Sequence, residues 1–136
     1  MKVFVDTNCL LESINRKRPA YNLYLVFQEL KFDWVISNEI YLKNKEVLTE
    51  FYSEDTAEYV LSRLLNSTNI VFQEPYFKWD LIQIDASDNK FVDLAISSGA
   101  DYLVTNDKHF QVLKEIEFPR VNVIPLSEFL TIINND

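Results

Sequence analysis

Residues 101–107, DYLVTND, repeat the design of residues 2–8, KVFVDTN: an apolar run that stops on threonine, asparagine and aspartate. Val3, Phe4 and Val5 are β-branched or aromatic, suit a pleated and packed surface, and predict a first short strand. The carboxyl end of such a strand is where open α/β sheets place their ligands. Short polar side chains also cap helices, so Asp6 or Thr7 has a second candidate role at the start of the next helix. The same choice attends Asp107, with a short helix following it.

Working outward, the pattern alternates strand and helix. TNCLLESINR (7–16) carries Leu10, Leu11 and Ile14 at helical spacing, and PAYNLYLVFQELK (19–31) opens with a proline suited to a first helical turn. A second strand is expected over Phe32–Ile36, with Ser37 as N-cap of a helix through Tyr52 that turns Ile40, Val47 and Leu48 inward. Ser53, with Asp55 and Thr56, starts another helix, and NIVFQE (69–74) is a third strand. Pro75 and the aromatic residues of PYFKWDLIQIDAS (75–87) suggest a loop. DNKFVDLAISSGA (88–100) is an amphipathic helix that Gly99 closes. After the fourth strand, DYLVTND, come a short helix in KHFQVLKEI, a fifth strand in VNVIPL (121–126), and a final helix capped by Ser127 that packs back on the sheet through Phe129, Leu130, Ile132 and Ile133. Strands alternating with helices specify an α/β fold, one domain over residues 1–136 with a parallel sheet covered on both faces.

Composition narrows the chemistry. With 21 acidic against 13 basic residues the chain carries a net charge of −8, which argues against a broad basic face for phosphates. An enzyme that meets phosphates through divalent cations remains compatible with that charge. Gly99 is the single glycine, which excludes glycine-rich phosphate loops, and His109 is the single histidine, which argues against a multi-histidine zinc site or a serine–histidine triad. Cys9 stands alone and reads as a small buried apolar residue; with no signal-peptide pattern, a reducing cytoplasm is expected. No apolar run approaches the roughly 20 residues that span a bilayer.

The carboxylates cluster at predicted strand and helix ends. Asp6 and Asp107 meet if their strands are neighbours in a parallel sheet, and Asp88, at a helix start, leans over the same edge. Asp85 nearby is expected to be a turn residue, and Asp88 alone serves as an N-cap. Together they repel one another unless a cation neutralises them. Oxygen ligands of this kind suit Mg²⁺ or Mn²⁺, ions that support phosphodiester hydrolysis.

VFVDTN, DASDNKFVDLAISSGADYLVTND, VNVIPLSEFL and VISNEIYLKNKEVL, in this order over nearly the whole chain, resemble a PIN domain. The resemblance is to the branch of VapC-like ribonucleases, the toxin components of toxin–antitoxin systems. It implies a three-layer α/β/α sandwich with about five parallel strands and a Mg²⁺- or Mn²⁺-dependent endoribonuclease site for single-stranded RNA. By the same resemblance Asp6, Asp88 and Asp107 fall on the acidic, metal-holding positions, and Thr105 and Asn8 on polar positions that orient a carboxylate or a bound water. Homodimers and a cognate antitoxin are the partners it implies. Flap endonucleases share the carboxylate arrangement, but a chain of 136 residues lacks room for their DNA-clamping elements.

One position departs from the pattern. Lys43 stands where this branch carries a glutamate, six residues after Ser37. Three readings stay open: Glu46 or Glu39, each about one helical turn away, takes over; Lys43 faces solvent and three aspartates suffice; or the site is weakened and the protein binds RNA or a partner without cutting. Arg16, Lys17 and Arg18 form the densest basic cluster, either a solvated loop or a phosphate contact with Tyr21 beside it for base stacking. Phe72, Tyr76, Phe77 and Trp79 are expected in the core, with a protein interface as the alternative.

Overall fold

The computed structural model describes residues 1–75, 77–82 and 88–135. Five parallel strands, β1 (Lys2–Val5), β2 (Asp33–Ile36), β3 (Ile70–Phe72), β4 (Tyr102–Val104) and β5 (Val123–Ile124), form one sheet in the order β3-β2-β1-β4-β5. β1 therefore lies between β2 and β4, with Val5 opposite Val104. Among the described residues the α-helices are α1 (Thr7–Ser13), α2 (Tyr21–Gln28), α3 (Asn38–Phe51), α4 (Glu54–Leu65), α5 (Asn89–Ser98) and α6 (Leu126–Asn134). KHFQVLKE, Lys108–Glu115, winds as a 3₁₀ helix.

Strand alternation divides the core. Val3, Val5, Trp34, Val104 and Ile124 face one layer, which α1, α2, α4 and α6 fill with residues including Leu10, Phe27, Leu61 and Phe129. Phe4, Val35 and Leu103 face the other, against Phe91, Val92 and Leu94 of α5 and Phe110 and Leu113 of the 3₁₀ helix. Long α3 reaches both, Leu48 joining the first cluster and Ile40 the second. The Trp34 ring sits 5.3 Å from Phe27 and 6.0 Å from Phe32, and Phe32 packs edge-on against Phe129. Burying each side chain of this size contributes roughly 1.5–3 kcal/mol. This is the α/β/α sandwich with a five-stranded parallel sheet that the sequence implied.

The expected caps at Ser37 and Ser53 form, each Oγ accepting from the backbone N–H three residues on. Gly99 closes α5 in the left-handed region at φ 65°, where a Cβ would strain the backbone. Ser127 is not a cap: α6 begins one residue earlier, after Pro125, and its Leu126 N–H is satisfied by Asn106 Oδ1 at 3.1 Å, a side chain from the end of β4. The aromatic segment also departs from the core expectation. Phe72 is 49% and Phe77 69% exposed, and Phe77, Trp79 and Phe118 form a row of ring contacts at the surface. Phe72 ends β3, and Trp79, half-buried, is tied to α5 by its backbone N–H, which donates to Asp93 Oδ1 at 3.0 Å. Tyr76 and Asp85 lie outside the described residues. Among the described residues no helix is long and apolar enough to cross a membrane.

Candidate active site

The strand order reverses direction between β1 and β4, and this switch point is where a crevice opens beyond the carboxyl ends of the strands. Asp6 and Thr105 are the first residues past those two strands. The Asp6 N–H donates to Val104 O at 2.9 Å and the Thr105 N–H to Ile124 O at 3.0 Å, so both are held by the ladder itself. The Asp6 side chain makes no capping hydrogen bond to α1, and Thr7 does not cap either: its hydroxyl donates to buried Asn44 Oδ1 at 2.8 Å. Asp6 Oδ2 accepts the Thr105 hydroxyl at 2.7 Å. Thr105 Oγ1 in turn accepts the Asp107 N–H at 3.0 Å.

Asp6 is 5% exposed, and burial pushes its carboxyl above the ordinary range. The Thr105 hydroxyl and the nearby Asn8 N–H oppose that shift, while the charges of Asp107 and Asp88 reinforce it. Asp107 does cap, its Oδ1 accepting the His109 N–H at 2.9 Å at the start of the 3₁₀ helix. Asp88 holds the N-cap position of α5 without a capping hydrogen bond to that helix. Its Oδ2 lies 3.2 Å from His109 Nδ1, which is 3.7 Å from Asp107 Oδ1.

Ligand atoms of Asp88, Asp107 and His109 thus fall within 4.8 Å of one another. Two carboxylates and an imidazole fit a divalent cation, the oxygens suiting Mg²⁺ or Mn²⁺ and the nitrogen favouring the softer of the two. Asp6 is not one of this trio; it is joined to it through Thr105 and Asp107. His109 lies outside the sequence expectation, which sets the single histidine only against a multi-histidine zinc site and a serine–histidine triad. The two-residue spacing Asp107–x–His109, at the start of a short helix after a strand, was the available signal.

Asp6, Asn8, Glu12, Asn106 and Asp107 line one open cleft together with Arg18, Phe51 and Tyr52. Asn8 is exposed there. Glu46 and Glu39 are both exposed on α3; neither lines the cleft or joins the cluster, and Glu39 lies 3.9 Å from Lys90. Lys43 is half-buried, and among the described residues no salt bridge joins it to the three aspartates. Cys9, at the cleft's floor, is 1% exposed with its thiol pushed up to about 12 by burial, hence inert at neutral pH.

Residues 2–109 match the PIN-domain family. Among curated proteins none matches the sequence. In fold the chain is similar to a protein in the crystal structure of VapBC2 from Rickettsia felis bound to a DNA fragment from their promoter, at 19% identity and a TM-score of 0.65, over 92% of this chain and 98% of that one. A family match spanning most of the sheet and every acidic residue of the switch point leaves one assignment: the chain belongs to the PIN-domain family.

Proposed function

We propose that this protein is a divalent-metal-dependent endoribonuclease that cleaves single-stranded RNA, acting as the toxin of a toxin–antitoxin pair. The observation that carries the proposal is the convergence of Asp6, Asp88 and Asp107 at the switch point, with Thr105 fixing Asp6 and His109 standing between the other two. Likeness to a chain of VapBC2 supports a protein partner, which the sequence resemblance identifies as a cognate antitoxin. The same resemblance adds a homodimer, and the single cysteine fits a reducing cytoplasm.

Asp6, Asp88 and Asp107 would hold Mg²⁺ or Mn²⁺. When bound, such an ion lowers the pKa of water and offsets charge on the phosphodiester. The chain's own groups orient what surrounds it. Thr105 keeps one Asp6 oxygen committed to a hydrogen bond, and the His109 N–H does the same for Asp107, so the remaining oxygens point predictably. Asn8 offers an amide at the cleft mouth, and Arg18 a guanidinium for the phosphate backbone. Purified protein with Mn²⁺ is expected to cut a panel of single-stranded RNAs and Asp6→Asn to leave them intact; identical behaviour of the two proteins sinks the proposal.

Lys43 motivates a second reading, a PIN module that binds RNA or a partner without cutting. Calorimetric titration with Mn²⁺ separates the two. Binding by wild type that Asp107→Asn abolishes supports the nuclease, whereas a silent wild type and a binding-competent Lys43→Glu support the degenerate module.

A further inference from the structure

Between α2 and α4 a groove opens whose walls carry Tyr21, Tyr24, Tyr52 and Tyr59 together with Arg16 and Arg63. Tyr52 lines both this groove and the acidic cleft, so the two adjoin at its ring. In a chain of net charge −8, the groove is lined by two guanidinium groups and by no carboxylate. Asp55 and Glu58 line an adjoining groove that shares Tyr24, Tyr59 and Arg63 with this one.

The tyrosines are not packed away. Tyr52 is 46% and Tyr59 61% exposed, and Tyr21 and Tyr24 are half-buried with ring centroids 5.7 Å apart. Arg63 is held in place by neutral groups. Its Nε donates to Tyr24 Oη at 2.8 Å and its Nη1 to Tyr59 Oη at 3.2 Å, with the guanidinium carbon 5.6 Å above the Tyr59 ring. Among the described residues no carboxylate bridges it. An exposed arginine whose direction is fixed but whose charge is unmatched, flanked by open π-faces, is the arrangement that single-stranded nucleic acid uses: phosphate on the cation, bases on the rings.

We propose that this groove binds the single-stranded RNA leading away from the acidic cleft, bases stacking on Tyr24, Tyr52 and Tyr59 and a phosphate on Arg63. The proposal rests on the nuclease reading for its choice of RNA over a protein occupant.

The test measures fluorescence anisotropy of a labelled single-stranded RNA of about ten nucleotides with the full chain, beside cleavage of a dinucleotide and of the long RNA. Tyr24→Ala and Tyr59→Ala are each expected to weaken binding of the long RNA roughly five-fold or more. Tyr24→Phe keeps the ring but releases Arg63 Nε, so it retains more affinity than Tyr24→Ala and less than wild type, and Arg63→Gln flattens the salt dependence by a slope of about 0.7. Dinucleotide cleavage stays at the wild-type rate in all of them, which also reports that they fold. Unchanged affinity in the alanine variants overturns the proposal and leaves the groove to a protein partner. Equal loss in Tyr24→Phe and Tyr24→Ala also overturns it, since the hydroxyl and not the ring then matters. A wild type that binds the long RNA through these tyrosines but cuts nothing refutes the nuclease while the groove stands.

Discussion

The Thr105 hydroxyl donates to Asp6 Oδ2 at 2.7 Å across two neighbouring parallel strands, joining residues 99 positions apart in the chain. Thr105 also receives the Asp107 N–H, so one side chain ties together two of the three aspartates. Thr105→Val keeps the shape and removes the hydroxyl. Loss of such a supporting hydrogen bond typically lowers metal affinity about 10- to 100-fold. Mn²⁺ titration is expected to show that loss, with Thr105→Ser recovering most of it; wild-type affinity in the valine variant would refute the role.

Asp6 carries a stability cost with a definite pH dependence. Burial raises its pKa in the folded state, so the folded protein holds that proton more tightly than the unfolded chain does. The stability linked to it is present below the unfolded carboxylate pKa and is lost as pH rises through the folded value. Asp6→Asn, which retains an acceptor for Thr105, is therefore expected to melt higher than wild type at pH 7 without divalent ions. The gap closes on acidification below the ordinary carboxylate range, and Mn²⁺ at neutral pH stabilises wild type more than the variant. Thermal melts across pH with and without Mn²⁺ check all three.

His109 adds a nitrogen to an otherwise oxygen set. His109→Gln is expected to lower Mn²⁺ affinity about ten-fold and Mg²⁺ affinity less, because imidazole suits the softer ion. Parallel calorimetric titrations with the two ions read the difference, and an equal effect on both would remove the histidine from the site.

Beneath the cleft, Thr7 Oγ1 donates to Asn44 Oδ1, and both side chains are almost fully buried. Thr7→Val strands the Asn44 carbonyl away from water and should cost roughly 1–3 kcal/mol. Urea denaturation at equilibrium measures it; a loss well under that range would indicate that Asn44 turns to another partner.

Much of this protein was determined locally. A β-branched run, a serine before a helix and a glycine after one act within a few residues, which is why the strands, the caps at Ser37 and Ser53 and the stop at Gly99 are legible in order. The placement of Asp6 and Asp107 at strand ends is equally local. Tertiary structure alone decided that β1 lies beside β4, because strand order follows from how two helical layers share one sheet. On that depended everything lying between distant segments: Thr105 on Asp6, His109 against Asp88, Asn106 capping α6 in place of Ser127, and Asn44 beneath Thr7. The aromatic segment at Phe72–Trp79 shows the limit from the other side. Ring content says how much surface a segment prefers to bury, but only the layers around it decide whether anything is there to bury it against.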